Sequence, residues 1–158
     1  MWNAVEYFET KNGKLKLTKG KYTFCRVTGL NNLEDVLSNM QDSKAFLAVD
    51  DTDDGVTIQI GGSWFNRRSV VVYVLQKYEF NDQIDREQKT NETRQIHQKL
   101  LSLLIKDSSS VEGLMFLDKT RFPYHEVPGY FSAGTCGLYF SFTIDEPVEL
   151  IYDANDYE

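Results

Sequence analysis

The residues most suggestive of chemistry are four aspartates that lie within five positions of the chain: Asp50, Asp51, Asp53 and Asp54. Carboxylate oxygens are the ligands that Ca²⁺ prefers, and an EF-hand loop needs a glycine at its sixth position and a glutamate at its twelfth. Counting from Asp50, Gly55 occupies the sixth position but Gly61 occupies the twelfth. The sequence therefore predicts at most an incidental site for a divalent cation in this cluster.

The segments on either side of the aspartates favour a turn instead. Residues 45–49 read AFLAV and residues 56–60 read VTIQI, two short runs that are typical of β-strands. An Asp-Gly pair between such runs indicates a hairpin, because glycine accepts a positive φ without strain and aspartate tolerates it. We therefore predict a hairpin at 45–60 with a solvated turn at Asp54 and Gly55.

Histidine chemistry has two candidates, His97 and His125. His97 lies beside Ile96 on a predicted helix, where a structural or a surface position is expected. His125 lies in an aromatic loop and would activate Cys136 as a thiol nucleophile if the two met, but no motif supplies a third residue to orient the pair. Cys25 and Cys136 lack the CxxC or CxxH spacing of a zinc site and are expected to be reduced thiols. The sequence thus predicts neither an enzyme nor a metal site.

The glycine pair before the central strand does not belong to a phosphate-binding loop. Gly61-Gly62-Ser63 is followed by aromatic residues and arginines, not by the Lys-Ser/Thr start of a helix. The aromatic residues and arginines that follow are Trp64, Phe65, Arg67 and Arg68. They could bind a sugar, a nucleotide or a carboxylate of a partner, but we favour the interpretation that they anchor the loop before the central strand. No cofactor is predicted.

Charge is unevenly distributed along the chain. The net charge of −7 argues against nonspecific binding to nucleic acid. Residues 1–30 hold six Lys or Arg and two Glu, a net +4, whereas residues 31–158 hold 11 basic and 22 acidic residues, a net −11. The basic segment either lines the solvated face of an edge hairpin or meets an acidic surface through four lysines: Lys14, Lys16, Lys19 and Lys21.

The composition is that of a globular domain, with 41 % hydrophobic and 13 % aromatic residues. No apolar run approaches the roughly 20 residues that span a bilayer, and the first residues do not resemble a signal peptide. We therefore expect a cytoplasmic protein that does not enter a membrane.

Hydrophobic periodicity predicts an α+β fold, a single domain with a mainly antiparallel sheet, one long helix packed on one face of the sheet and a short N-terminal helix. The predicted strands are an N-terminal hairpin at 14–27, a central strand at 69–75 and later strands at 114–117 and 137–144. The short helix begins near residue 31 and the long helix spans 82–107. The chain divides into a basic N-terminal hairpin (1–30), an α+β core (31–145) and an acidic tail (146–158) with a strand-like run at 148–152.

The predicted long helix has two unlike halves. Its second half carries an apolar stripe that should pack on the sheet: Ile96, Leu100, Leu103 and Leu104. Its first half, over 87–95, has no aliphatic residue. We expect that half to stand in water or to contact a partner.

The order of elements between about 31 and 145 resembles that of the tail-terminator and neck-completion proteins of long-tailed bacteriophages. The resemblance rests on a short helix, a hairpin, a long strand at 70–78, a long helix at 87–106 and two last strands ending in Gly137-Leu138-Tyr139-Phe140-Ser141-Phe142. It implies a non-enzymatic subunit that forms a ring, commonly a hexamer, on the tail tube or at the head–tail junction. Its partners would be copies of itself and other tail or neck proteins, in the cytoplasm during assembly and then in the virion.

A head-to-tail ring repeats one contact between two different surfaces of the subunit. We expect the four lysines to lie near acids of the next subunit, either residues 145–146 or the turn at Asp51, Asp53 and Asp54. The apolar part of the contact is assigned to three aromatic residues of the 122–131 loop: Tyr124, Tyr130 and Phe131. The alternative function is an acidic immunity or antitoxin-like protein, which would mask a basic toxin with the acidic tail and the same aspartate turn.

Overall fold

The computed structural model describes residues 1–39, 42–128 and 134–157. The helices and strands, in chain order, are α1 (Ala4–Lys14), β1 (Thr23–Val27), α2 (Gly29–Asn39), β2 (Ala45–Asp50), β3 (Asp54–Ile60), β4 (Ser63–Lys77), α3 (Gln83–Asp107), β5 (Tyr124–Glu126) and β6 (Thr135–Pro147). Single 3-10 turns lie at Glu112–Leu114 and Ala154–Asp156. The strands form one six-stranded sheet in the order β1-β2-β4-β6-β5, with β3 paired to β4. Among the described strands, only β1 and β2 pair in parallel, so the predicted α+β fold class is confirmed.

The two long strands β4 and β6 form the centre of the sheet. Their register runs without a break from Phe65↔Pro147 to Lys77↔Thr135. The β-branched run in β4 is buried as predicted, because helices cover both faces of this part of the sheet. The alternation predicted in β6 is also confirmed, with four residues buried on the side of α3: Leu138, Phe140, Phe142 and Ile144.

Helix α3 covers one face of the sheet together with α1. The Asp82 side chain caps its N-terminus by accepting a hydrogen bond from the backbone amide of Asp85 (3.0 Å). The predicted stripe packs into the core through Ile96, Leu100 and Leu104, whereas Leu103 is half-buried.

The prediction for the first half of this helix is wrong. Thr90 and Thr93 are buried, and Thr90 lies close enough to Cys136 of β6 for their side chains to interact. The methyl groups of threonine replace aliphatic side chains on this side of the helix. Because the Thr93 hydroxyl donates to the Thr90 carbonyl (2.7 Å), its polar atom is satisfied inside the helix.

The predicted N-terminal hairpin at 14–27 is also wrong, because only its second strand forms, as β1, and its first part is the end of helix α1 and the turns that follow. Asn3 caps this helix by accepting from the amide of Glu6 (3.3 Å). The alternating Lys-Leu-Lys-Leu run, which has the pattern of a strand, belongs to the end of α1 and to two successive turns. In the first turn the amides of residues 18 and 19 donate to the Leu15 carbonyl, and in the second the amides of residues 21 and 22 donate to the Thr18 carbonyl. The buried Thr18 hydroxyl donates to the carbonyl of Asn12 (2.8 Å) and fixes these turns.

The predicted hairpin at 45–60 does not form either, although both of its strands exist. β2 and β3 do not pair with each other; they lie end to end along the same side of β4, with Val49 opposite Val72 and Asp54 opposite Ser69. Gly55 has no positive φ. It is required for a different reason, because a Cβ atom there would lie 2.7 Å from the Arg67 carbonyl oxygen of the neighbouring strand.

The hairpin turn lies at the glycine pair that the sequence indicates only as a break. Gly61 and Gly62 have φ values of 59° and 84° and join Ile60 to Ser63 across a two-residue loop. Two successive positive φ values are the signature of a type I′ turn, whose twist matches that of the strands. β3 and the first half of β4 therefore form a β-hairpin, called the β3–β4 hairpin below.

Two further predicted strands are absent from the described residues. Residues 114–117 form a 3-10 turn and one isolated bridge, from Leu117 to Ile144. Residues 148–152 form no helix or strand, although the Val148 amide extends the β4–β6 ladder by donating to the Trp64 carbonyl (3.0 Å). After Val148, no strand pairs with the chain within the described ranges.

The second face of the sheet is half covered. Helix α2 packs there on β1, β2 and the end of β4, in agreement with the short helix predicted near residue 31. The uncovered half, above β4 and β6, is a groove of about 530 Å³. Polar and charged side chains line most of it, including Arg67, Ser69, Ser141, Thr143 and Asp145.

Candidate functional site

Donors within the chain engage Asp50 and Asp51 of the aspartate cluster. Asp51 accepts from Arg26 Nε (2.6 Å) and from the Thr28 hydroxyl (2.8 Å), and these hydrogen bonds lower the pKa of its carboxyl group. Asp50 accepts from the amide and the hydroxyl of Thr52 (2.9 and 2.6 Å). Among the described residues, no three Asp, Glu, His or Cys side chains converge as metal ligands.

We expect the 50–54 segment to bind calcium only weakly. Its carboxylates point to separate partners, so a Ca²⁺ ion would have to displace Arg26 from Asp51 as well as shed its own water. Isothermal titration calorimetry at low ionic strength measures the affinity directly, with the Asp51→Asn variant as the control. A dissociation constant below about 10 μM, in the range of EF-hand sensors, would contradict this prediction.

Asp53 belongs to a second, more deeply buried ion-pair cluster around Arg68. Arg68 Nε donates to Asp53 (2.8 Å), and Arg68 Nη1 donates to Glu146 (2.7 Å) and to the Trp2 carbonyl (3.2 Å). Glu146 also accepts from the Trp2 amide (3.2 Å). One guanidinium group thus joins the N-terminus, the start of β3 and the end of β6.

The neighbouring Arg67 occupies a different environment. Its guanidinium group lies on the surface and forms a bidentate pair with Asp145 (2.8 and 2.9 Å). Phe65 packs edge to face on Phe116, with ring centroids 5.8 Å apart. Three of the four residues considered as sugar or nucleotide binders therefore have partners within the chain, and Trp64 is 39 % exposed.

Few of the acidic residues predicted to contact the lysines of a neighbouring subunit are free to do so. Lys14, Lys16 and Lys19 are exposed, and Lys21 pairs with Glu92 of α3 (2.8 Å). The proposed acidic partners are mostly engaged in their own subunit: Asp51 with Arg26, Asp53 and Glu146 with Arg68, and Asp145 with Arg67. Asp54 is exposed and stays a candidate.

The structure does not bring His125 and Cys136 together. His125 pairs with Tyr139 in the β5–β6 register and its ring lies 5.2 Å from the Tyr139 ring, on the face of the sheet opposite α3. Cys136 is buried and contacts Thr90 of α3. Burial raises the pKa of the Cys136 thiol, and burial raises that of Cys25 to about 11, which disfavours the reactive thiolate form.

His97 is a core residue. Its ring lies 4.8 Å from that of Phe140 and 5.2 Å from that of Tyr124, and its Nε2 atom has no hydrogen-bond partner in the described structure. Burial lowers the pKa of the imidazole, because the charged form loses its hydration. Of the structural and surface positions expected from the sequence, these contacts select the structural one.

We predict that His97 makes the protein less stable in mild acid. Because its pKa is lower in the folded state than the unfolded value of about 6.5, the unfolded chain binds the proton first and stability falls as the pH drops below about 6.5, by no more than about 1.4 kcal/mol per pH unit. Urea unfolding at pH 7.5 and 5.5 measures this loss, which the His97→Gln variant should lack. His125→Gln, which removes an exposed imidazole, is the control; an equal loss in His97→Gln would contradict the prediction.

Of the three aromatic residues assigned to a partner contact, the structure describes one. Tyr124 is 56 % exposed although one side of its ring rests on His97. The strand that carries it is held to α3 by the ion pair between Arg94 and Glu126. Tyr130 and Phe131 lie outside the described residues.

The β3–β4 hairpin carries an exposed apolar surface that sequence reasoning missed. Every residue of β3 except Ile58 is exposed, and Val56 and Ile60 on β3 are 55 % and 49 % exposed. Their alternation gave a strand signal, but alternation predicts one buried face. No local signal indicates that this strand lies beyond the cover of the helices.

The C-terminal arm, residues 148–157, is a second exposed apolar feature at the same end of β4. Leu150, Ile151 and Tyr152 are 55 %, 78 % and 74 % exposed. The Tyr152 ring stacks on Tyr157 with centroids 5.1 Å apart. Beyond Val148, the hydrogen bonds that the arm forms with other described residues are local, within 153–157.

No helix in the described part of the chain is long and apolar enough to cross a bilayer. Comparison with known proteins gives no assignment, because no protein-family model and no curated protein sequence matches the chain.

Proposed function

We propose that the chain is a non-enzymatic structural subunit that assembles head to tail with copies of itself, as a ring that completes the tail or the head–tail junction of a phage. The observation that carries this proposal is the β3–β4 hairpin, which extends beyond the helices and exposes Val56 and Ile60 on the same face. Neighbouring exposed apolar side chains of this kind mark interaction surfaces. A hairpin that lacks a covering layer gains stability when a partner covers it.

The order of elements supports the phage part of the proposal. After α2, the chain forms two short strands, the long strand β4, the long helix α3 and the final strands β5 and β6. This order matches the one on which the resemblance to tail-terminator and neck-completion proteins rests, except that its hairpin is replaced by β2 and β3, which each pair with β4. At the end of β4 opposite the hairpin, Phe80 and Ile84 are 73 % and 71 % exposed, which provides a second surface for the tail or neck protein beneath the ring.

The charges support contacts of modest strength. Lys14, Lys16 and Lys19 are exposed, and the arm supplies Glu149, Asp153 and Asp156, which are also exposed. Pairs of this kind are screened by salt and contribute little each. Apolar contacts therefore have to supply most of the affinity, and the exposed residues of the hairpin and the arm are suited to that role.

Multi-angle light scattering over a concentration series, at low and at high salt, tests the proposal. We expect an oligomer whose mass increases with concentration to a fixed multiple of the subunit and which persists at 0.5 M salt. The Val56→Lys variant, which places a charge on the exposed face of β3 without touching the core, should shift the equilibrium to the monomer. The matched control Thr57→Lys adds the same charge on the opposite face of the hairpin.

A monomer at every concentration that also fails to bind phage tail tubes would reject the assembly role. A monomer that instead binds a basic toxin domain with 1:1 stoichiometry would favour the immunity-like alternative. The exposed acids of the arm are the feature that suits such a basic partner.

A further inference from the structure

We propose that the arm of one subunit adds as a strand to the open edge of β3 in a second subunit. This inference rests on the proposed assembly function and names the contact by which the subunits join. The proposed contact joins two parts of the described structure that lack a pairing partner on one side: the outer edge of β3 and the strand-like segment 148–152.

The first feature is the outer edge of β3. β3 pairs with β4 through all seven of its residues, and no other strand lies beside it in the described parts of the chain. Its outward amides and carbonyls are left to solvent. Natural edge strands are usually protected by lysine, proline or a bulge, whereas β3 reads DGVTIQI and carries one charge, at its first residue.

The second feature is the arm. Residues 148–152 read VELIY, and valine, isoleucine and tyrosine are among the residues most enriched in strands. The segment is nevertheless outside the sheet and exposes Leu150, Ile151 and Tyr152. A sequence with strand propensity and exposed apolar side chains is the usual donor in strand addition.

The positions of the two features favour a second copy over the same chain. The arm leaves the sheet at the end of β6, on the opposite side of β4 from β3. β3 and β6 both run antiparallel to β4, so they point the same way and the arm begins near the hairpin tip. To reach its own β3 edge it would have to cross the tip, reverse and span about three strand spacings, roughly 14 Å.

Such a contact is heterologous, because the arm and the β3 edge are different surfaces of the subunit. Repeating it produces a closed ring when the rotation between neighbours closes, and an open filament when it does not. The main-chain hydrogen bonds supply affinity that salt does not screen. Leu150 and Tyr152 would lie beside the exposed apolar residues of β3 and cover them.

The two-residue turn identifies which amides are available. Ile60 and Ser63 flank the turn and form a hydrogen-bonded pair, so Ile58 and Val56 direct their amides inward to β4. Gly55, Thr57 and Gln59 direct theirs outward. Proline at Gln59 removes an outward amide and leaves the ladder to β4 unbroken.

The decisive comparison is therefore Gln59→Pro against Gln59→Ala, in the full-length chain. We expect sedimentation to show association at least about tenfold weaker in Gln59→Pro and unchanged in Gln59→Ala. Circular dichroism and the melting temperature of each variant verify that the fold is retained. Leu150→Glu, on the arm, should weaken association to a similar extent, with Asn155→Glu as its control.

Disulfide trapping identifies the occupant of the edge. A chain with Thr57→Cys is mixed with chains that carry a cysteine in turn at 149, 150, 151 or 152, while the native Cys25 and Cys136 are buried. A cross-linked dimer at alternating arm positions is the expected product. When one chain carries both new cysteines, a cross-linked monomer at low concentration would show that the arm folds onto its own β3 and would overturn the proposal.

Two other outcomes separate this inference from the function on which it rests. If the wild type forms rings and Gln59→Pro forms them equally well, strand addition is rejected while the assembly role stands. If the wild type is monomeric throughout and binds no tail tube, both are rejected.

Discussion

Replacing Arg68 by methionine should lower the free energy of unfolding by about 2–4 kcal/mol. Its guanidinium group is only about one-tenth exposed and donates to Asp53, Glu146 and the Trp2 carbonyl. Removing the cation leaves two carboxylates close together without a counter-charge, and breaking a buried pair in this way is strongly destabilising. Urea unfolding followed by fluorescence measures the change.

Arg67→Met is the matched control, because it removes the adjacent arginine from the other face of the same strand. Arg67 is exposed and paired with Asp145 in solvent, so its loss should change the unfolding midpoint only slightly. Equal destabilisation by the two substitutions would show that the Arg68 cluster does not depend on burial. The double variant Arg68→Met with Glu146→Gln should recover part of the lost stability, because it removes one of the two carboxylates that lack a counter-charge after Arg68 is replaced.

Replacing Leu100 by aspartate should cost about 4 kcal/mol or more. The Leu100 side chain is 1 % exposed in the cluster between α3 and the sheet. The substitution removes its apolar burial and places an unpaired carboxylate in the core. For a domain of this size that is a large fraction of the total stability, so we expect the variant to be mostly unfolded well below the melting temperature of the parent.

Gln98→Asp serves as the control for Leu100→Asp. Gln98 is exposed on the same helix, so the new charge meets water and the cost should stay below about 1 kcal/mol. Thermal melts by circular dichroism compare the two variants. If Leu100→Asp melts like Gln98→Asp, the face of α3 that packs on the sheet has been assigned wrongly.

The sequence predicts the elements whose signals are local. The alternation of Leu138, Phe140, Phe142 and Ile144 identifies β6, and helical spacing with a capping Asp82 identifies α3. In each case the residues that determine the element lie within it. The end of helix α1 was not predicted. The Lys-Leu alternation at 14–17 resembles a strand pattern, whereas hydrogen bonds of Asn12 and Thr18 to residues 10 and 6 positions away fix a turn.

Pairing partners are harder to predict than strands. The runs at 45–49 and 56–60 are strands as expected, but both pair with β4 and not with each other. The Asp-Gly pair does not form the hairpin turn because β4, with fifteen residues, is long enough to pair with β2 and β3 one after the other. The two-residue turn forms instead at the glycine pair 61–62. Competition of this kind depends on residues far apart in the chain.

The candidate assembly surface was predicted in part. The exposed lysines and Tyr124 were identified from residue type, yet the internal ion pairs of Asp51, Asp53 and Asp145 depend on tertiary contacts that no local pattern reveals. The open edge of β3 is likewise a property of the whole sheet. Only the strand-like run at 148–152 gave a local signal, and its lack of a partner is what points to a second chain.

The length of β4 has a consequence for how its amides exchange with solvent deuterium. From Val70 to Leu75 the strand is packed between helices, so exchange of these amides should require global unfolding. From Ser63 to Asn66 the same strand has no helical cover on the hairpin and should exchange by local opening, orders of magnitude faster. We therefore expect the amides of β4 to exchange as two separate cooperative units although the strand is continuous. The unit at the hairpin, Ser63 to Asn66, should open and close while the core remains folded.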